Sequence, residues 1–277
     1  MPELPEVEQV RQGLRSQILG KKIKQVDIYW DRIIAEPSVK QFKEQLSGQT
    51  FHEIKRRGKF LLFILDNYVL ISHLRMEGKY QVVTRKVPLS KHTHVVFKLT
   101  DGSDLRYHDV RKFGRMSLVS KDEETSHPSL RRLGPEPTQA DLTLEWMTNF
   151  IKNRTKAIKA VLLDQHFVAG IGNIYADEIL FRAQIHPATS CKNLTPQDLK
   201  TIRRYIIEVI AEAKRAGGTT VRSYTNALGK SGHFQEQLQV YGRQGEPCVV
   251  CQTPIEKIKV TGRGTHFCPH CQGVKRL

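Results

Sequence analysis

The chain has 277 residues, of which 39% are hydrophobic, and a mean hydropathy of −0.42. No apolar run in it approaches the roughly 20 residues that a membrane helix needs. Lysine and arginine number 44 against 28 aspartates and glutamates, a formal charge of +16. A surplus of that size repels itself in the folded state and points to a polyanionic partner, nucleic acid foremost. A membrane-surface protein is disfavoured, because no basic amphipathic helix with a broad apolar face is present; ribosomal and general RNA-binding readings survive composition alone. The first residues carry no basic stretch followed by an apolar one, so an intracellular protein is expected.

The chain opens MPELPEVE, with Val7, Val10, Leu14 and Ile18 recurring at helical spacing and Gly20 where a helix could stop. A first helix is therefore predicted over 5–19, with its positive dipole end against Pro2 and Glu3. Residues 22–119 change to short β-type runs, among them 22–29, 60–65, 69–74 and 94–99, with turn chemistry at Asp66-Asn67 and Asp101-Gly102. Such spacing suggests an antiparallel β-sandwich. Residues 120–138 are polar and proline-rich and read as a linker.

Helical periodicity returns over 142–152, 156–163, 174–181 and 196–216. Between two of these helices lies VAGIGNIYADE, where Gly170 and Gly172 permit a tight turn and Asn173 is expected to cap the next helix. Backbone amides at that helix start form a phosphate site, although a plain helical corner explains the same residues. Residues 217–237 form a long loop without periodicity, a length usually functional or disordered. The chain closes on Cys248, Cys251, Cys268 and Cys271, a C-x2-C pair, sixteen intervening residues and a second C-x2-C. Four thiolates at that spacing bind one zinc ion and leave no position open for water, so the metal is structural. Cys191 reads as an ordinary thiol. The fold class expected is α+β, a β-sandwich with an N-terminal helix followed by a helical domain that ends in a zinc module.

Chemistry centres on the chain start. At neutral pH a lysine with a pKa of about 10.4 is about 0.04% unprotonated, whereas an α-amine is roughly 10% unprotonated. If Met1 is removed, Pro2 carries a secondary amine, and its condensation product with a sugar aldehyde is an iminium that has no proton to lose. That iminium stays an electron sink and favours elimination of phosphate from the sugar. Glu3 stands ready to pass a proton to the opening sugar. Lys59, in Arg56-Arg57-Gly58-Lys59-Phe60, is either a further reacting cation or a surface charge. Met76, Arg111 and Phe113 lie near predicted turns, and read either as core residues or as wedges and a cation for opening a duplex.

In sum these motifs resemble the bacterial formamidopyrimidine-DNA glycosylases, bifunctional repair enzymes for oxidised purines. The resemblance spans the whole chain: MPELPEVE, RRGKF, ISHLRMEGKY, YHDVRKFG, LGPEP, VAGIGNIYADE, GGTTVRSY, VYGRQGEPC and GRGTHFCPHC, in that order. It implies that Pro2 is the Schiff-base nucleophile, Glu3 its acid partner, Lys59 a proton-transfer group and Arg263 the arginine of δ-elimination. It also implies an insertion triad of Met76, Arg111 and Phe113. Further DNA contacts are implied for His92, Lys159, Asn173 and Tyr241, with Arg222 and Tyr224 in a loop over the everted base. The expected division is a catalytic β-sandwich over 1–133, a helix-two-turn-helix domain over 134–237 with a lesion loop at 217–237, and a zinc finger over 238–277.

The expected partner is double-stranded DNA holding an oxidised purine or an abasic site, met by a monomer in the bacterial cytoplasm at the nucleoid. Endonuclease VIII, a sister enzyme for oxidised pyrimidines, shares the fold and the proline chemistry. Leu4-Pro5-Glu6-Val7 and the intact triad resemble the purine branch instead. A damage sensor without catalysis would be expected to lack Pro2, Glu3 or Lys59, and all three are present.

Overall fold

The computed structural model describes residues 1–219 and 232–273, so Arg222 and Tyr224 lie outside the described residues. The chain separates into two compact units, Met1–Arg131 with Gly217–His233, and Arg132–Ala216 with Phe234–Leu277.

The first unit begins with α1 (Leu4–Ile18), in the place the apolar periodicity predicts. Glu3 stands at its N-cap and Pro5 in its first turn, where a missing N–H costs nothing. Val7, Val10, Leu14 and Ile18 line its buried face. Then follow β1 (Ile23–Ile28), β2 (Ile34–Glu36), α2 (Val39–Leu46), β3 (Glu53–Arg57), β4 (Phe60–Ile64) and β5 (Tyr68–His73). The unit continues with β6 (Lys79–Thr84), β7 (Thr93–Leu99), β8 (Ser103–His108) and β9 (Arg115–Ser120). Two sheets result, one ordered β1-β7-β8-β6 and the other β2-β9-β5-β4-β3. Their pairings are antiparallel except for a short parallel β2–β9 ladder. Leu61, Phe63 and Leu70 of one sheet share a core with Val95, Phe97 and Leu105 of the other, and α1 contributes Val10 and Leu14. The expected sandwich is present.

Helix α2 interrupts a region that reads as β throughout. Its local signal is a capping box between Ser38 and Gln41, with Phe42 and Leu46 buried one turn apart. The polar stretch at 120–138 is also more ordered than a linker. It holds α3 (Pro128–Arg131), and the His127 ring lies 2.7 Å from a Glu36 carboxylate oxygen.

The second unit comprises α4 (Leu144–Ile151), α5 (Ile158–Leu162), α6 (Asn173–Arg182) and α7 (Pro196–Arg215), then a hairpin of β10 (Glu256–Val260) and β11 (Arg263–Phe267). Helix α7 is started by Thr195 and Asp198 as a capping box, and it buries Leu199, Ile202, Ile206, Val209 and Ala213 along one stripe. The hairpin turn places Thr261 and Gly262 at φ of 46° and 79°, the pair of positive values that a two-residue type I′ turn demands. No helix among the described residues is long and apolar enough to cross a membrane.

Candidate active site

The chain start is held from several directions. The backbone N–H of Glu3 donates to Glu6 Oε2 at 2.8 Å, closing the capping box of α1. The other oxygen, Glu6 Oε1, accepts from the Thr219 N–H at 2.7 Å and from its hydroxyl at 3.1 Å. One buried carboxylate thus fixes both the first peptide of α1 and the start of the 217–237 segment. A turn further on, Glu8 binds Arg11 and Arg56, and Arg56 in turn donates to the Gly58 carbonyl at 3.1 Å. Burial opposes the Glu8 charge, but hydrogen bonds from Arg11 and Gln12 and the two guanidinium charges draw its pKa down to about 2.

Through Arg56, α1 steadies the β3–β4 turn that carries Lys59, a buried side chain. Lys59 stands within that turn, directly before β4. The Met1 amino group feels the same surroundings. Burial lowers its pKa most, Glu3 and Glu6 raise it, and Lys59 lowers it again. Pro2, Glu3 and Lys59 are therefore brought to one end of α1. Glu6, Glu8 and Arg56 join this site without any marking as functional residues along the chain, though the Glu3–Glu6 spacing is itself a capping-box signal.

Met76 and Phe113, which singly read as core residues, are exposed at 38% and 48%. Strand register explains why their loops run side by side. His73 at the end of β5 pairs with Arg115 of β9, and Lys79 at the start of β6 pairs with His108 of β8. Residues 74–78 and 109–114 therefore cross between the sheets at the same edge. Asp109 shapes the second crossing, its carboxylate accepting from the N–H of Arg111 at 3.0 Å and of Gly114 at 2.8 Å. Arg111 is exposed, its guanidinium 4.8 Å from the Phe113 ring centroid. His92 precedes β7, and its carbonyl accepts from the Asp109 N–H at 3.0 Å.

In the second unit, Gln165 braces the turn before α6, accepting from the Gly170 N–H at 2.9 Å and donating to the Ile171 carbonyl at 2.8 Å. Gly172, not Asn173, occupies the N-cap, a correction to the expected capping role. Asn173 is the first helical residue, and its amide donates to the Gly264 carbonyl at 2.9 Å. An amide carries two N–H groups, which leaves one for an anion at the helix start. Lys159 is a second correction. Its ammonium is wholly enclosed, 2.7 Å from Asp177 and 2.7 Å from the Thr265 hydroxyl, so it has no surface to offer DNA. Tyr241 is half-buried, its ring 5.0 Å from His266 in an edge-to-face pair. Arg263 is exposed on the first residue of β11, next to the residues that Lys159 and Asn173 grip.

The four cysteines converge, all Sγ atoms lying within 4.8 Å of one another. Zinc with bonds of about 2.3 Å to four thiolates needs sulfurs about 3.8 Å apart. The Cys248–Cys271 and Cys251–Cys268 separations of 3.9 and 3.4 Å fit that tetrahedron. Backbone N–H groups of Val250 and Cys271 point at Cys248 and Cys268 Sγ at 3.4 Å, the orientation that stabilises thiolates. The cluster is the site of one structural zinc ion. Cys191 is remote from this role: burial pushes its thiol up to about 11.

The two sandwich crossings and the zinc hairpin define a modular, basic, nucleic-acid-type protein, and comparison with known proteins makes the class specific. Residues 1–116 match the formamidopyrimidine-DNA glycosylase N-terminal domain, 133–225 its H2TH domain and 245–274 the zinc finger found in FPG and IleRS. Formamidopyrimidine-DNA glycosylase of Enterococcus faecalis is 53% identical over 99% of this chain and 98% of its own length. That of Bacillus licheniformis is 52% identical over 98% and 99%. Among solved structures, a Lactococcus lactis FPG mutant in complex with Fapy-dG-containing DNA superposes with a TM-score of 0.94 at 43% identity, covering 99% of this chain and all of that one. The L. lactis protein with abasic-site DNA gives 0.94 at 44%, over 98% of this chain. The chain belongs to the formamidopyrimidine-DNA glycosylase family.

Proposed function

We propose that this protein is a bifunctional DNA glycosylase and AP lyase of base excision repair, which removes oxidised purines, 8-oxoguanine and formamidopyrimidines among them, from duplex DNA and then cleaves the strand by β,δ-elimination. The observation that carries the reading is the chain start, fixed by the Glu3–Glu6 capping box and sharing its surroundings with Lys59. Once Met1 is cleaved off, the Pro2 secondary amine attacks C1′ of the damaged nucleotide and the base departs. Burial lowers the pKa of the amino group at this chain end, and the same surroundings favour the unprotonated, nucleophilic form of the Pro2 amine. Glu3 delivers a proton to the opening sugar ring, and Lys59 moves protons at base release and at the sugar carbon next to the one that loses phosphate. Arg263 grips the phosphate that leaves in δ-elimination, held in place by a hairpin that the zinc ion stiffens.

DNA is bound in three ways. Asn173, His92 and Tyr241 take backbone or lesion-site contacts, which give affinity and salt dependence without reading sequence. Met76 and Phe113 wedge into the stack, and Arg111 faces the orphaned cytosine. Arg222 and Tyr224, outside the described residues, belong to the loop over the everted base. Lys159 acts through the hairpin. The division proposed is a catalytic domain over 1–133, a helix-two-turn-helix domain over 134–237 and a zinc finger over 238–277, working as a monomer at the nucleoid in the bacterial cytoplasm.

Borohydride trapping tests the chemistry. The protein is incubated with a duplex holding 8-oxoguanine opposite cytosine, reduced, digested and analysed by mass spectrometry. The expected adduct lies on Pro2, in chains lacking Met1. An adduct on a lysine overturns the nucleophile assignment, and binding without adduct or cleavage overturns the enzyme assignment.

A further inference from the structure

Tyr107 is the penultimate residue of β8, buried at 1% exposure, two positions before the crossing at 109–114. Its ring is held from behind by its cross-strand partner Tyr80, edge-to-face at 5.1 Å, and Tyr80 is in turn tied to the Ser72 hydroxyl at 2.7 Å. What lies in front of the ring is glycine on both sides. A Cβ placed on Gly114 would stand 1.9 Å from the Tyr107 hydroxyl oxygen, and one placed on Gly78 would stand 2.1 Å from it. Neither glycine has a positive φ. Both positions therefore demand glycine for space, because the tyrosine tip occupies it. Gly78 closes the crossing that carries Met76, and Gly114 closes the one that carries Arg111 and Phe113.

We infer that Tyr107 is a positioning residue that couples the two wedge-bearing crossings, seating its hydroxyl between Gly78 and Gly114 so that Met76 and Phe113 enter the base stack as one rigid unit. Both crossings include a non-glycine residue in the left-handed region next to the wedge, Arg75 at φ 55° and Lys112 at φ 58°. Such backbone persists only where its surroundings impose it. The Leu74 carbonyl accepting from Gly78 and the Asp109 carboxylate accepting from Gly114 fix each crossing singly. Among the described residues, the Tyr107 tip is the group that meets the terminal glycine of both. Tightly packed atoms transmit displacement rather than absorb it, so a shift of one crossing is passed to the other.

The inference rests on Met76 and Phe113 being wedges, and its test separates the two. Single-turnover excision of 8-oxoguanine from a duplex requires a base to be pushed out; cleavage of a single-stranded oligonucleotide with an abasic site does not. Tyr107→Phe and Gly114→Ala are expected to slow duplex excision by about fivefold or more while changing single-strand cleavage by less than about twofold. Met76→Ala and Phe113→Ala are expected to be non-additive in the wild-type background and additive in Tyr107→Phe. Equal losses in both assays, as a general loss of stability would give, overturn the inference, and so does additivity of the two alanine variants with Tyr107 intact. If Met76→Ala and Phe113→Ala are silent in excision, the wedge reading falls and the coupling with it; if they slow excision but the Tyr107 and Gly114 variants do not, the coupling alone falls.

Discussion

Lys159 and Asp177 form an ion pair of 2.7 Å in which neither side chain keeps any exposed surface. The same ammonium donates to Thr265 and Gly264, and the second Asp177 oxygen accepts from the His266 N–H at 2.9 Å. Two helices thereby clasp the strand that begins with Arg263. Removing one member leaves a buried charge uncompensated, so Lys159→Met is expected to cost about 3–5 kcal/mol in denaturant unfolding. The double variant Lys159→Met/Asp177→Leu should regain at least half of that loss. A double variant no more stable than the single one would show that the pair does not act as a unit.

Zinc removal addresses the same hairpin from its other end. Metal analysis is expected to find one zinc per chain, and Cys268→Ala should abolish it. Binding energy at such a site, on the order of 10 kcal/mol, is folding energy for the segment that supplies the ligands. Chelation should therefore release the amide-exchange protection of β10 and β11 and weaken DNA binding through Arg263, while β4 and β5 keep theirs. Full protection of β10 and β11 after chelation would contradict this.

His73 supplies a pH dependence. Burial, then the charges of Arg75 and Lys59, depress its pKa to about 3, so it is neutral in the folded protein. An unfolded histidine takes up its proton near about pH 6.5. The unfolded state then binds more protons, so stability falls as pH drops below that value and goes on falling to the folded pKa. The loss from this residue at pH 5 is about 2 kcal/mol. Replacing it as His73→Gln should flatten the stability profile between pH 7 and 5 by that amount. An unchanged slope would mean that other groups set it.

Gly218 has a φ of +76°, and a Cβ there would lie 2.7 Å from Glu6 Oε1. Gly218→Ala is expected to cost about 1–3 kcal/mol in strain and to dislodge Glu6 from Thr219. Because Glu6 also accepts from Glu3, the variant should lose Pro2 cross-linking in borohydride trapping. Trapping at the wild-type rate would show that Thr219 and the chain start are independent.

Much of this protein is legible along the chain. Helix α1 follows from Val7, Val10, Leu14 and Ile18, and the zinc site from cysteine spacing, since both are encoded over a few residues. Helix α2 escaped because Phe42 and Leu46 make a single turn inside a β-rich stretch, too short a period to stand out. Asn173 was expected at the cap because its side chain suits one, whereas Gly172 takes that place and frees the amide to reach Gly264.

Residue order along the chain sets the identities and local settings of the candidate site groups: Pro2 beside Glu3, a glycine-lysine turn, four spaced thiols. What holds each group in place emerges from contacts between distant segments. Glu6 meets Thr219 across 213 positions of chain, and Lys159 meets Thr265 across 106. Nor does any local pattern mark Tyr107 as the residue that fills the space left by two glycines. Periodicity and spacing report short-range geometry, while burial, ion pairing and steric fit arise when distant segments exclude water from one another. That is why Lys159, a surface cation by composition, lies inside the protein, and Met76 and Phe113, core residues by composition, stand outside it.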